Sequence, residues 1–231
     1  MNVIFDFDNT LLPEESTVEV LKIALSHKKG GHETMQYLAD IAPRAFAGKS
    51  TWQEKLLMLK TAMSVTRQTV DQYVASRVNA LNPVLKETLQ SLTNKGVKLH
   101  VISGGYTEWI TPLLSAWEIQ CDQITANRFI WLGNRVVAIR PSPLLSSKGK
   151  VQVIHHWKSQ NKTTGKFIIV GDGSADQDTL RYNASDAFVS AEYFQNNQLP
   201  EMDQMRRAST PEEVGQHIDH FLTQLSPAVV Y

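Results

Sequence analysis

The feature that most constrains this chain is an alternation. Short, continuously apolar runs, "NVIFD" (2–6), "VKLHVIS" (97–103), "KFIIVGD" (166–172) and "DAFVS" (186–190), are separated by stretches with helical spacing. Unbroken apolarity marks strands buried on both faces, the habit of parallel sheets. "CDQITA" (121–126) adds a weaker fifth strand. Helices are expected over 83–94, 107–117, 148–158, 175–183 and 210–225. The first opens with Pro83 and stops at Gly96, the second carries Pro112 in its first turns, and the last opens with Thr210 followed by acids. Such alternation predicts an α/β fold built on a doubly wound parallel sheet.

Two stretches break the pattern. Residues 14–80 carry no strand signal and read as helices near 15–27, 32–42, 51–63 and 67–79, with "WQEKLLMLKTAM" fitting one apolar helical face. The chain therefore divides into an α/β core, 1–13 and 81–231, and a small helical cap, 14–80, inserted directly after the first strand. The second break is "RFIWLGNRVVAIR" (128–140), where Gly133-Asn134 between two β-rich runs predicts a hairpin.

Bulk properties exclude several classes. Lys plus Arg number 23 and Asp plus Glu number 23, so the basic excess of a nucleic-acid binder is missing. A single cysteine, Cys121, allows no internal disulfide and no thiolate metal site, which fits a reducing, cytoplasmic setting. No apolar run reaches the ~18 residues of a membrane span, and the N-terminus lacks the basic start and long apolar stretch of a signal peptide. "AFAGKST" (45–51) ends like a phosphate loop, but Pro43 stands where that loop needs glycine and no strand precedes it. His155-His156 and His27/His32 lack the spacing of zinc ligands. Oligomeric state is not fixed by any of these features.

The chemistry collects at strand ends. Asp6 and Asp8 close the first run one residue apart, and at ~4 Å two such charges repel by about 4 kcal/mol at an effective dielectric near ~20. "GDGSAD" (171–176) brings Asp172 and Asp176 to the end of another strand, and ligands of open α/β sheets bind at the carboxyl ends of strands. Four converging carboxylates call for a counter-ion, and an all-oxygen donor set suits Mg²⁺. Ser103 offers a hydroxyl, and Gly104 and Gly105 let backbone N–H groups approach an anion near a helix start. Lys148, at the opening of another helix, could carry a positive charge to the same rim. Lys150 competes for that role, and Lys148 is preferred because Val151 and Ile154 then fall on the buried face behind it. Trp109 and Trp157 are expected to pack helices onto the sheet, and Trp52 and Tyr106 are candidates for lining a cleft between cap and core. Together the polar groups describe a phosphoryl-transfer site.

"DFDNT", "VISGG", a helix-opening lysine and "GDGSAD", in this order, resemble the four motifs of the haloacid dehalogenase superfamily of Mg²⁺-dependent aspartyl phosphatases. The helical insertion after the first motif is similar to one of its cap types. "VISGGYTEW", "ANRFIW" and "GDGSADQDTL" look closest to the phosphoserine phosphatase-like branch. The resemblance implies Asp6 as nucleophile, forming a phospho-aspartate, and Asp8 as the acid that protonates the leaving oxygen and then activates water. It implies Mg²⁺ held by Asp6, the Asp8 carbonyl and Asp172, with Asp176 in support, and phosphoryl oxygens held by Ser103, Gly104 and Lys148. Thr10 would orient Asp8, and Glu15 would face a substrate amino group. Asn9 replaces the glycine frequent in the superfamily. No cap arginine for a substrate carboxylate is evident, since "WQEKLLMLK" offers only Lys55 or Lys60. The expected activity is hydrolysis of a small phosphorylated metabolite, phosphoserine-like or another amino-bearing phosphoester. Transfer of the phosphoryl group to a small alcohol, and phospho-ligand binding without turnover, are the alternatives.

Overall fold

The computed structural model describes residues 1–46, 51–160, 163–195 and 197–226. Its strands are β1 (Asn2–Phe5), β2 (Lys98–Tyr106), β3 (Gln123–Asn127), β4 (Phe129–Leu132), β5 (Arg135–Ile139), β6 (Phe167–Gly171), β7 (Ala187–Ala191) and β8 (Met205–Ala208). Six of them form one sheet in the order β3-β2-β1-β6-β7-β8, every pair parallel. The strand order reverses at β1, which pairs Phe5 with Val101 on one side and with Val170 on the other. A crevice opens beyond the carboxyl ends of strands at such a reversal. β4 and β5 form a separate antiparallel hairpin turning at Gly133, whose φ of 57° lies in the left-handed region that glycine tolerates.

Burial explains the unbroken apolar runs. Every residue of β1, β6 and β7 is buried. Val3 and Phe5 face a large cluster containing Leu85, Leu89, Trp109, Leu113, Ile218 and Phe221, while Ile4 faces a second containing Ile154, Trp157, Ile169 and Phe188. Helices α5 (Pro83–Asn94), α6 (Thr107–Ala116) and α9 (Pro211–Leu225) cover the first face, and α7 (Gly149–Ser159) covers the second. Trp109 and Trp157 do pack helices onto the sheet, at 0% and 4% exposure. Helix α8 (Ser174–Arg181) follows β6.

Between β1 and α5 lie α1 (Ser16–Leu25), α2 (Gly31–Phe46), α3 (Trp52–Ala62) and α4 (Arg67–Arg77). The starts of α3 and α4 are set by local capping chemistry. The Thr51 hydroxyl accepts from Glu54 N–H while the Glu54 carboxylate accepts from Thr51 N–H, and Thr66 and Thr69 repeat the arrangement on α4. Each such box satisfies two N–H groups that a helix start otherwise leaves open. Much of this region packs on the sheet's own core. Val20, Ala62, Val65, Val70 and Tyr73 belong to the same cluster as Val3 and Phe5, and Tyr73 meets Trp109 edge-on with ring centroids 6.1 Å apart. Glu14 and Arg77, at the two ends of the insertion, form a two-pronged ion pair of 2.7 and 2.9 Å, and Tyr73 Oη donates to Glu14 at 2.9 Å. The hairpin turn also docks on the insertion, where Arg67 N–H donates to Asn134 O at 3.2 Å.

Four details differ from expectation. The edge strand β8 reads "MRRA", with no apolar run to announce it, because a half-exposed edge need not be apolar. β2 continues through Ser103 to Tyr106, its register shifting after Ile102, so the glycine pair lies at an irregular strand end. Pro112 sits in the interior of α6 rather than in its first turn, so the helix gives up one hydrogen bond there. Tyr106 stacks on Phe129 with centroids 4.0 Å apart and belongs to the core, whereas Trp52 is 72% exposed at the start of α3. Residues 47–50 of "AFAGKST" lie outside the described residues.

Candidate active site

Asp6 follows β1 directly and is pinned by main-chain bonds. Its N–H donates to Val170 O at 2.8 Å, tying the end of β1 to β6, and its Oδ1 accepts from Phe7 N–H at 2.7 Å. Asp172 and Asp176 arrive from the loop after β6 and the first turn of α8. One carboxylate oxygen from each of Asp6, Asp172 and Asp176 lies within 4.8 Å of the others. Three strand-end carboxylates read from the sequence thus meet at one point. The fourth does not join them: the Asp8 carboxylate turns away and accepts from Ser16 N–H at 3.0 Å.

The positive charge comes from Lys150, not Lys148. Lys150 Nζ is 2.8 Å from Asp6 Oδ2 and 2.6 Å from Asp176 Oδ1, and the residue is 8% exposed. Lys148 caps the helix from outside and rests over the Tyr182 ring at 4.4 Å. The preference for Lys148 rested on the helix face, and the face turns out differently. Lys150 itself stands in the buried row with Val151, Val153, Ile154 and Trp157, at the end that points to the sheet rim. A second expectation is also corrected. Thr10 does not orient Asp8: Ser16 N–H makes that bond, and Thr10 Oγ1 is buried with no hydrogen-bond partner among the described residues.

Burial sets the protonation of the group. It pushes Asp8 well above the usual carboxylate range, against the Ser16 hydrogen bond and with help from Glu15 and Asp6. Asp172 is pushed up to about 6, first by burial and then by Asp6. Asp176 is likewise raised by burial, with Lys150 opposing. Burial alone would lower the Lys150 ammonium, but Asp176 and Asp6 outweigh it and hold the charge on. With one ammonium against Asp6, Asp172 and Asp176, negative charge is left over. An all-oxygen site with that excess fits a hard divalent cation.

Gly171 makes room for this packing. A Cβ there would lie 2.2 Å from Asp176 Cγ and 2.5 Å from one of its oxygens. Because Lys150 holds that carboxylate, it cannot yield without breaking the pair. Gly171→Ala is expected to cost about 1–3 kcal/mol, read as a lower denaturation midpoint with an unchanged slope. A midpoint equal to the wild type would mean that the Asp176 carboxylate moves aside freely.

The Ser103–Gly105 stretch lies on β2, the strand paired with β1, just past the register that joins Phe5 to Val101. Ser103 is 0% exposed, and its Oγ accepts from Gly105 N–H at 2.9 Å. Gly104 is exposed with nothing within 4 Å of a Cβ position, so its backbone lies open to a ligand, and its carbonyl accepts from Asn127 Nδ2 at 2.7 Å. Glu15, also exposed, accepts from Asn9 Nδ2 at 2.6 Å. Asn9 has φ of 51° and accepts in turn from Gln195 Nε2 at 2.8 Å. Asn takes the left-handed conformation more readily than most residues, which explains how it stands where the superfamily often has glycine. Ser16, Lys150, Gln195, Tyr193 and Asn197 were not singled out from the sequence. Only Lys150, as the alternative lysine, carried any signal; the others reach the site through loop geometry.

Comparison with known proteins adds the decisive observation. The family model for haloacid dehalogenase-like hydrolases matches residues 3–181, most of the chain, and spans the Asp6, Ser103, Lys150 and Asp172 segments. The chain belongs to that family. Curated relatives place it on the phosphoserine phosphatase-like branch, among phosphatase-type hydrolases. It is 27% identical to human phosphoserine phosphatase over 189 residues, which is 81% of this chain and 79% of the human enzyme. It is 26% identical to the Drosophila melanogaster enzyme over 180 residues, 77% of this chain, and spans 64% of that enzyme's length. Among solved structures, a phosphoserine phosphohydrolase-like protein from Francisella tularensis is 26% identical with a TM-score of 0.66, covering 82% of this chain and 86% of that one. A substrate-bound phosphoserine phosphatase has the same fold at 17% identity, with a TM-score of 0.66 and 97% of both chains covered. HAD phosphatases generally use Mg²⁺, and the acidic cluster described above is where this member of the family offers donors.

Proposed function

We propose that this HAD phosphatase is a Mg²⁺-dependent phosphomonoesterase acting on a small phosphorylated metabolite through a phospho-aspartate on Asp6. The observation that carries the reading is the pairing of two unlike carboxyl groups. Asp6 lies 2.8 Å from Lys150 Nζ and shares the acidic cluster with Asp172 and Asp176, while Asp8 is turned away toward Ser16 N–H and burial raises it well above the usual carboxylate range. Two carboxyl groups in such different surroundings divide naturally into nucleophile and acid.

In this mechanism Ser103 Oγ, the Gly104 backbone and Lys150 Nζ hold the phosphoryl oxygens. The Asp6 carboxylate attacks phosphorus, the ester P–O bond breaks, and Asp8 gives its proton to the departing alkoxide. Asp8, now charged, takes a proton from water as the water attacks phosphorus, which frees inorganic phosphate and regenerates Asp6. Asp6, Asp172, Asp176 and the Asp8 carbonyl would hold Mg²⁺, which when bound neutralises charge on the phosphoryl oxygens. The helices of 14–80 serve as a cap over the site, within a core formed by 1–13 and 81–231, and shield the reaction from bulk water. Glu15 would meet an amino group on the leaving alcohol. A small soluble substrate in the cytoplasm suits this arrangement, and no described helix is long and apolar enough to cross a membrane.

The test is phosphate release from p-nitrophenyl phosphate and from a panel of phosphomonoesters that includes amino-bearing ones. Turnover should require Mg²⁺, stop with a chelator, and return when the metal is restored. Turnover that persists in the chelator contradicts the metal-dependent reading.

A further inference from the structure

The segment after β7 folds back over the site. Three of its side chains, Tyr193, Gln195 and Asn197, reach the loops that carry the acids. Tyr193 Oη donates to Thr10 O at 2.8 Å, and Gln195 Nε2 donates to Asn9 Oδ1 at 2.8 Å. Asn197 Nδ2 donates to Asp172 at both its main-chain oxygen, 2.9 Å, and its carboxylate Oδ2, 3.1 Å. The first two contacts tie the segment to the loop bearing Asp6 and Asp8, and the third ties it to the loop bearing Asp172.

We propose that Asn197 is a positioning residue for the metal-binding carboxylate of Asp172. The proposal rests on the reading of Asp6, Asp172 and Asp176 as the Mg²⁺ site. An Asp side chain is free to rotate about its last bond, and a mobile ligand loses entropy when it coordinates. The Asn197 amide removes that freedom twice over. One bond to the main chain fixes where Asn197 sits relative to residue 172, and the other fixes the carboxylate through Oδ2, a bond that leaves Oδ1 uncommitted to Asn197. A neutral amide suits the task. It orients the carboxylate without placing a second cation next to the metal, as a lysine would. Outer groups that orient metal ligands typically contribute ~10–100-fold to metal affinity.

The test measures Mg²⁺ binding to the full chain by titration calorimetry without substrate, together with the melting temperature in the absence of metal. Asn197 is exposed, so its replacement leaves the core untouched. Asn197→Ala is expected to weaken Mg²⁺ binding by about tenfold or more with an unchanged metal-free melting temperature, and Asp172→Asn to abolish the binding. Should Asn197→Ala bind Mg²⁺ as tightly as the wild type while Asp172→Asn does not, Asn197 has no positioning role and the metal site stands. Should Asp172→Asn also bind like the wild type, the metal-site reading fails and the proposal falls with it. A metal-free melting temperature lowered by several degrees in Asn197→Ala would trace the weaker binding to general packing and overturn the proposal.

Discussion

Asp6→Asn is expected to lower phosphate release by roughly 10³-fold or more, because it removes the attacking oxygen rather than a supporting group. The change keeps the shape of the side chain. It keeps the main-chain bond from Asp6 N–H to Val170 O as well, which does not depend on the side chain. Lys150 still has Asp176 at 2.6 Å, so no buried ammonium is left alone. Loss of turnover with an intact thermal transition would therefore isolate chemistry from folding. Steady-state kinetics on p-nitrophenyl phosphate measures the first, and a melting curve measures the second. Turnover within tenfold of the wild type would exclude residue 6 as the nucleophile.

Lys150→Met carries the second large effect, and it acts on both stability and rate. Removing the ammonium leaves Asp6 and Asp176 buried against each other, and breaking a buried pair from one side costs about 3–5 kcal/mol. Mg²⁺ should return part of that stability by supplying the missing charge. Turnover should fall by about 10²–10³-fold at saturating Mg²⁺, the usual effect of deleting one donor to developing negative charge. Lys148→Met is the matched control. It loses only a contact over the Tyr182 ring, of about 0.5–1 kcal/mol, and should leave turnover near the wild type. If the two variants exchange these behaviours, Lys148 and not Lys150 binds the phosphoryl group.

The comparison of those lysines shows what the sequence could convey. Strands such as β1 and β6 were legible because a segment buried on both faces has to be apolar throughout, and strand ends then locate Asp6 and Asp172 without further information. The start of α5 was legible because Pro83 suits a first helical turn. The choice between Lys148 and Lys150 was not, because it turns on a rotation of one helix by two residues. A buried lysine reads as a polar position in any apolar pattern, so the spacing argued against the residue that the ion pairs select. Thr10 fails for a related reason. The bond expected of its hydroxyl is made by Ser16 N–H, and a main-chain donor carries no sequence signature. The contacts of Tyr193, Gln195 and Asn197 depend on how the chain returns after β7, and nothing local encodes that return.

The central place of β1 has a further consequence for how the molecule comes together. Its two neighbours enter the sheet at residues 98 and 167, so one edge of the first strand stays open until most of the polypeptide exists. Pairings across such distances form slowly, since loop closure must be overcome before the contacts repay it. Helices near the N-terminus can organise early, but residue 6 meets residues 150 and 176 only once β6 has docked. Regained turnover after dilution from denaturant is thus a stricter gauge of complete assembly than regained helical signal, part of which local segments supply before the sheet closes.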